Sequence, residues 1–188
     1  MNKRFGFTLV ELLVVIAVIA ILMVVVVLVI NPGELLRQSR DSNRLSDMAT
    51  LKSAIMLFTA DVATSLGTSG KCYTYMASST ATTSCTWFST ASTTVNVSSS
   101  KAVDGTGWIP VNFQLISAGV PIRQIPVDPI PNNTSTFYSY AASGTTLFKL
   151  AAKMESAKFN FGGSGDVVST DGGTSTSTYE TGSGTGTL

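Results

Sequence analysis

The sequence predicts an α+β chain in which one long, kinked N-terminal α-helix packs its second half on a small antiparallel β-sheet domain. Three features carry that expectation. From Phe7 to Ile30 the chain runs FTLVELLVVIAVIAILMVVVVLVI, broken only by Thr8 and Glu11. Beyond Asn31-Pro32-Gly33, apolar residues recur at steps of three and four (Leu45, Met48, Leu51, Ile55, Phe58, Val62, Leu66), the spacing of a helix with one buried face. Nearer the C-terminus, TFYSYAAS and TTLFKLAAKMES alternate as antiparallel strands do, with Ser143-Gly144 between them as a turn signal.

As a helix at about 1.5 Å per residue, the apolar run reaches roughly 36 Å, enough to cross a hydrocarbon core of about 30 Å. It is longer than the apolar region of a cleavable secretory signal and lacks a small-x-small site at its end, so it is expected to stay in the protein. Lys3 and Arg4 precede it, and the positive-inside rule then leaves the N-terminus in the cytoplasm and sends everything after Ile30 across the membrane. Pro32 removes a backbone donor and crowds the preceding turn, so a kink is expected there. The organisation that follows is a transmembrane helix at 7–31, an amphipathic helix at 32–66 continuing into a globular head, and a Ser/Thr-rich β domain at 67–188. Arg40, Asp41, Arg44, Asp47, Lys52 and Asp61 fall largely between the apolar positions of the second helix.

Gly67 and Gly70 end that helix, and the composition of the variable loop at 67–106 shifts to Ser, Thr and Ala, with one strand expected near Tyr73 to Met76. Two readings of the loop stand, a solvated low-complexity segment and an O-glycosylated surface; the formal sequons at Asn96, Asn132 and Asn133 are short matches that decide nothing. After Trp108, NFQLISAG reads as a short helical turn and VPIRQIPVDPIP as an extended, turn-rich crossing set by its prolines. The tail at 162–188 reads as flexible loop. Its Asp166, Asp171 and Glu180 could supply oxygen ligands to calcium, which takes six to eight of them in adaptable geometry, or could simply be a solvated acidic tail.

A net charge of +1, with 12% charged residues, leaves no basic footprint for nucleic-acid phosphates. The absence of histidine excludes Ser/His/Asp and Cys/His catalytic sets, and two cysteines cannot close a zinc site. Ser98-x-x-Lys101 lacks the companion motifs of the serine enzymes that use such a pair, and the glycines at 162–165 lack the lysine of a phosphate loop. No enzyme is expected. Cys72 and Cys85, both in the exported part, read either as one disulfide closing a short loop or as two buried free thiols.

Glu11 decides the functional reading. A carboxylate inside a lipid-spanning helix costs about 2.5–3.5 kcal/mol at mid-bilayer, so it is either functional or held at the interface. The stretch Lys3-Arg4-Phe5-Gly6-Phe7-Thr8-Leu9-Val10-Glu11 resembles the signal of type IV prepilins. The resemblance implies a leader at 1–6, cleavage between Gly6 and Phe7 by a prepilin peptidase, N-methylation of Phe7 and a role for Glu11 in assembly. RDSNRLSDMATLKSAIMLFTAD, LISAGVPIRQIPVDPI, FYSYAAS and LFKLAAKMES are similar to segments of type IV pilins and type II secretion pseudopilins. Membership implies a pilin-like fold and a homo-oligomeric helical filament with residues 7–31 in its core. It also implies a membrane assembly platform with its ATPase, a calcium site in the final loop, and passage from the inner membrane to an extracellular or periplasmic filament. The rival reading is a signal-anchored surface adhesin or binding module that never polymerises.

Overall fold

The computed structural model describes residues 6–62, 64–75, 94–131, 133 and 135–184. The chain divides into two units, Met1–Leu36 and Arg37–Leu188. In the first, α1 (Leu9–Ile30) is apolar around its whole circumference, so nothing in its pattern selects a face to bury. It ends where Asn31 turns left-handed, with φ at 45°, a conformation that asparagine tolerates better than most residues. The same residue starts α2 (Pro32–Asp61): its carbonyl accepts from the Glu34 and Leu35 N–H groups at 3.0 and 3.3 Å, and its Oδ1 accepts from Glu34 N–H at 3.4 Å. Proline suits the first position of a helix, where its missing N–H would have no intrahelical partner. The break expected at Asn31-Pro32-Gly33 is thus confined to one non-helical residue.

In the second unit, α2 buries Met48, Leu51, Ala54, Ile55 and Phe58 against a mixed sheet. The expected helix to Leu66 stops at Asp61. Leu66 still enters the core, but its backbone is tied to the strand hairpin around Gly144: its N–H donates to Gly144 O in the turn at 3.3 Å and its carbonyl accepts from the Tyr140 hydroxyl at 2.8 Å. Those bonds are incompatible with a continuing helix.

Among the described residues the sheet has five strands: β1 (Lys71–Thr74), β2 (Thr94–Val97), β3 (Tyr138–Ser143), β4 (Leu147–Ala152) and β5 (Tyr179–Gly182). They lie in the order β2-β1-β3-β4-β5. The expected antiparallel hairpin is β3–β4, paired from Tyr138↔Ala152 to Ser143↔Leu147. Tyr138, Tyr140 and Ala142 share a face with Phe148, Leu150 and Ala152, and that face meets α2 together with Trp108, Ile109, Val111, Phe113 and Ile125. On the other face Cys72, Ala141 and Ala151 form a second buried cluster with Val95.

Three expectations need correction. The sheet is mixed, because β2 from the variable loop pairs parallel with β1, Lys71↔Thr94 to Thr74↔Val97. The tail is not all loop, because β5 closes the sheet by pairing with β4. The charged residues of α2 are not all at its surface either: Asp41 and Arg44 are fully buried, for the spacing 41, 44, 48, 51, 55, 58 makes them a polar extension of the apolar stripe. The helical turn after Trp108 is present as a 3-10 turn at Phe113–Leu115, and Trp108 Nε1 donates across the proline-rich crossing to Pro126 O at 3.0 Å.

Arg44 joins three segments. Its guanidinium grips Asp128 in the crossing with two bonds, 2.7 and 2.9 Å, donates to Asp41 at 2.8 Å and reaches Glu155 just beyond β4. Asp41 in turn accepts from the Glu155 and Ser156 N–H groups, at 3.0 and 2.8 Å. Burial works against the charge on Arg44, and the Asp128, Glu155 and Asp41 carboxylates outweigh it. Burial likewise works to raise the Glu155 carboxyl, and bonds from Arg40 and Arg44 hold it below the usual range. Removing one partner of a buried pair strands the other charge, so Asp128→Ala should cost about 3–5 kcal/mol. Arg40→Ala, at a partly exposed pair, should cost less than about 1 kcal/mol. Denaturant unfolding of the detergent-solubilised chain compares them, and equal losses would show that the cluster is not organised around Arg44 and Asp128.

Candidate processing and assembly site

The N-terminal turn of α1 is closed by its own side chains. Thr8, in extended conformation, is the N-cap: its hydroxyl accepts from Glu11 N–H at 3.2 Å, and Glu11 Oε2 accepts in return from Thr8 N–H at 3.5 Å. This capping box satisfies two helix-end donors and sets a negative charge on the turn that the macrodipole makes positive. Glu11 is therefore held back toward the N-terminus rather than extended along the helix. The Thr8-x-x-Glu11 spacing announces such a box in the sequence, yet Thr8 is easily passed over as one polar residue in an apolar run.

Just ahead of the cap, Phe7 is 81% exposed, and a Cβ placed on Gly6 would meet nothing within 4 Å. Among the described residues nothing crowds the Gly6–Phe7 bond, which directly precedes the capped helix start. Behind it, Leu9–Val27 has a mean hydropathy of 3.4 with none of the window buried. The 22 residues of α1 extend about 33 Å at ~1.5 Å each, which matches a hydrocarbon core of about 30 Å.

A basic leader, an open Gly–Phe bond, a capped carboxylate and a membrane-length helix thus occur in one continuous stretch, and residues 1–27 match the family model described as the prokaryotic N-terminal methylation motif. The chain carries the class III signal of type IV pilins and pseudopilins. No curated protein and no solved structure matched it. The motif supports a pilin-like or pseudopilin precursor with an N-terminal membrane anchor and implies processing by a prepilin peptidase; the family that carries it is of a structural kind. The long N-terminal helix with a small mixed sheet is consistent with a pilin-like α+β fold.

The remaining predicted site residues lie in the head. Cys72 is buried in β1, and no cysteine is free among the described residues; Cys85 lies outside them. Asn96 is exposed on β2, Asn133 turns its Oδ1 to Ser135 N–H, and Asn132 lies outside the described residues. The three carboxylates named for calcium do not converge. Asp166 Oδ atoms accept from the N–H groups of Gly162, Val168 and Ser169 and from the Ser169 hydroxyl, all within 2.7–3.0 Å. Asp171 accepts from Gly173 and Glu180 N–H, at 2.7 and 2.6 Å. Glu180 Oε2 accepts from Thr174 and Ser175 N–H, at 2.6 and 3.1 Å, and Oε1 faces the Lys149 ammonium at 2.8 Å. No group of three acidic, histidine or cysteine side chains that could hold a metal exists among the described residues. As arranged here, with their oxygens accepting N–H bonds or facing an ammonium, these three side chains do not by themselves assemble the six to eight oxygen ligands that calcium takes.

Asp166 gives the tail a pH signature. The N–H and hydroxyl of Ser169, then the Gly162 N–H, pull its carboxyl down from 3.8 to about 2. A carboxyl depressed by folding contributes stability that is present above its unfolded value and lost as pH falls through the folded one. The turn from Gly162 to Ser169 should therefore hold down to the 3.8 of the free carboxyl and loosen as pH approaches about 2. An NMR titration of the Asp166 carboxyl carbon checks this, and a midpoint near the free-carboxyl value would show that those bonds do not form in solution.

Proposed function

We propose that this chain is a structural subunit of a type IV pilus-like or type II secretion-like filament. The subunit is stored in the inner membrane through residues 7–31, cut between Gly6 and Phe7, methylated on the new Phe7 amine, and then drawn by an assembly platform and its ATPase into a helical homopolymer outside the membrane. The observation that carries this reading is α1 itself: its entire circumference is apolar, its side chains are exposed in the single chain, and its one carboxylate is held at the end where the new amine forms. Such a helix needs cover on all sides, which lipid supplies before assembly and neighbouring copies supply after it. Glu11 within a low-dielectric bundle of helices would be neutralised by the Phe7 amine of a neighbour, which sets the axial register of each added copy.

The buried position of Cys72, next to a segment poor in large apolar residues, supports a bridge to Cys85 in the exported head; over a loop of that length the chain-entropy model gives about 3 kcal/mol. One intact-mass measurement on sheared fibres examines both covalent claims. The subunit should begin at an N-methylated Phe7 and weigh two hydrogens less than its reduced form; retention of Met1 would sink the prepilin reading, and an unchanged mass on reduction would remove the bridge.

Assembly provides the functional test. Glu11→Ala should still insert and be cut after Gly6 but yield few or no filaments, with Glu11→Asp intermediate because its carboxylate reaches less far. Fibre yield is compared in sheared fractions at matched membrane levels. Normal fibres from Glu11→Ala would leave the residue an interfacial carboxylate, and correct processing with no fibres from the parent chain under any condition would favour the tethered surface module.

A further inference from the structure

We propose that the Lys149 ammonium is a protein-borne cation around which the C-terminal segment closes, standing where a metal ion would otherwise have to stand among the tail's carboxylates. Lys149 interrupts an otherwise apolar strand, LFKLAA, on the sheet face that holds Cys72, Ala141 and Ala151: it pairs with Ala141 on β3 and with Gly182 on β5. Glu180 pairs with Ala151 and so presents its side chain on that same face, diagonal to Lys149. Both side chains are 0% exposed and their charged atoms stand 2.8 Å apart. Among the described residues neither atom has another polar partner, so each charge depends on the other.

The rest of the segment is built around the anion of this pair. Thr174 and Ser175 turn their N–H groups onto the second Glu180 oxygen, and the Asp171 carboxylate takes the N–H groups of Gly173 and of Glu180 itself. Burial pushes the Asp171 carboxyl up, the Glu180 and Gly173 N–H groups pull it down, and the charges of Glu180 and Lys149 act on it in opposite senses, which puts all three groups in one electrostatic cluster. Two glycines make the wrap sterically possible: a Cβ on Gly173 would collide with the Glu180 carboxylate, and one on Gly182 with the Phe148 carbonyl. Of the Glu180 oxygens only Oε1 escapes N–H donors, and the ammonium occupies it. At this sheet edge the four residues of β5 are fastened on one side only, by the β4 ladder, and the buried pair adds a side-chain tie to it. The inference concerns the head alone and does not depend on the filament reading.

The test uses the full-length protein in detergent micelles, with chymotryptic cleavage after Tyr179 followed by mass spectrometry, in calcium and in chelator. The parent should be cut at one slow rate in both. Lys149→Met should be cut at least about tenfold faster in both, because a buried carboxylate that has lost its partner is strongly destabilising, whereas neutralising both members is far less so. The double variant Lys149→Met with Glu180→Gln should therefore return to within a few-fold of the parent, even if Lys149→Met alone fails to fold. A parent tail released by chelator would show that a metal closes it and overturn the proposal. So would a double variant no better protected than Lys149→Met, or a Lys149→Met tail as resistant as the parent's.

Discussion

Three stretches far apart in the chain end on one guanidinium. Arg44 from α2, Asp128 from the proline-rich crossing and Glu155 from the end of the β3–β4 hairpin meet in a buried cluster, and a charge without water must be met by partners wherever they come from. That requirement fixes more than its own neighbourhood. It places the crossing over α2, so that Trp108, Ile109 and Ile125 are carried into the core, and it sets where β4 must finish relative to the helix. A hydrophobic contact could slide by a methyl group; a bidentate grip cannot.

The two units divide the physical work. Among the described residues the head buries side chains on both faces of its sheet and pairs its buried charges with one another. The N-terminal unit does the opposite, exposing along α1 an apolar surface that its own chain leaves uncovered. A domain that is complete alone, joined to a helix that cannot be, is the division expected of a subunit whose helix changes surroundings while its head does not.

Much of this was legible in the order of residues. An unbroken apolar run located α1, and periodicity located the buried stripe of α2 and the β3–β4 hairpin, because each is a local pattern sustained over several turns or pleats. Asp41 and Arg44 were legible in principle, since they keep the three-four step of Met48, Leu51, Ile55 and Phe58, but charge type argued against burial until Asp128 and Glu155 were seen to meet them. The parallel β1–β2 pair, β5 and the Lys149–Glu180 contact were not legible, because each depends on which distant backbones become neighbours in the sheet. The tail in particular looked unstructured because its N–H groups are satisfied by carboxylates rather than by a regular ladder. In the N-terminal segment the motif names Gly6, Phe7 and Glu11 as candidates, and the structure adds Thr8 as the residue that caps the helix with Glu11.

The capping box and Asn31 also act together as a gauge. Between Glu11 and Asn31 the helix rises about 30 Å at ~1.5 Å per residue, one hydrocarbon core in thickness, with no polar residue along that length. The helix therefore carries two polar marks spaced one bilayer apart. Sliding it toward either side would draw one mark into lipid, a spacing suited to holding a membrane-spanning helix at a defined depth. In the proposed precursor the same spacing would leave the bond between Gly6 and Phe7, one turn outside the first mark, near the cytoplasmic water line.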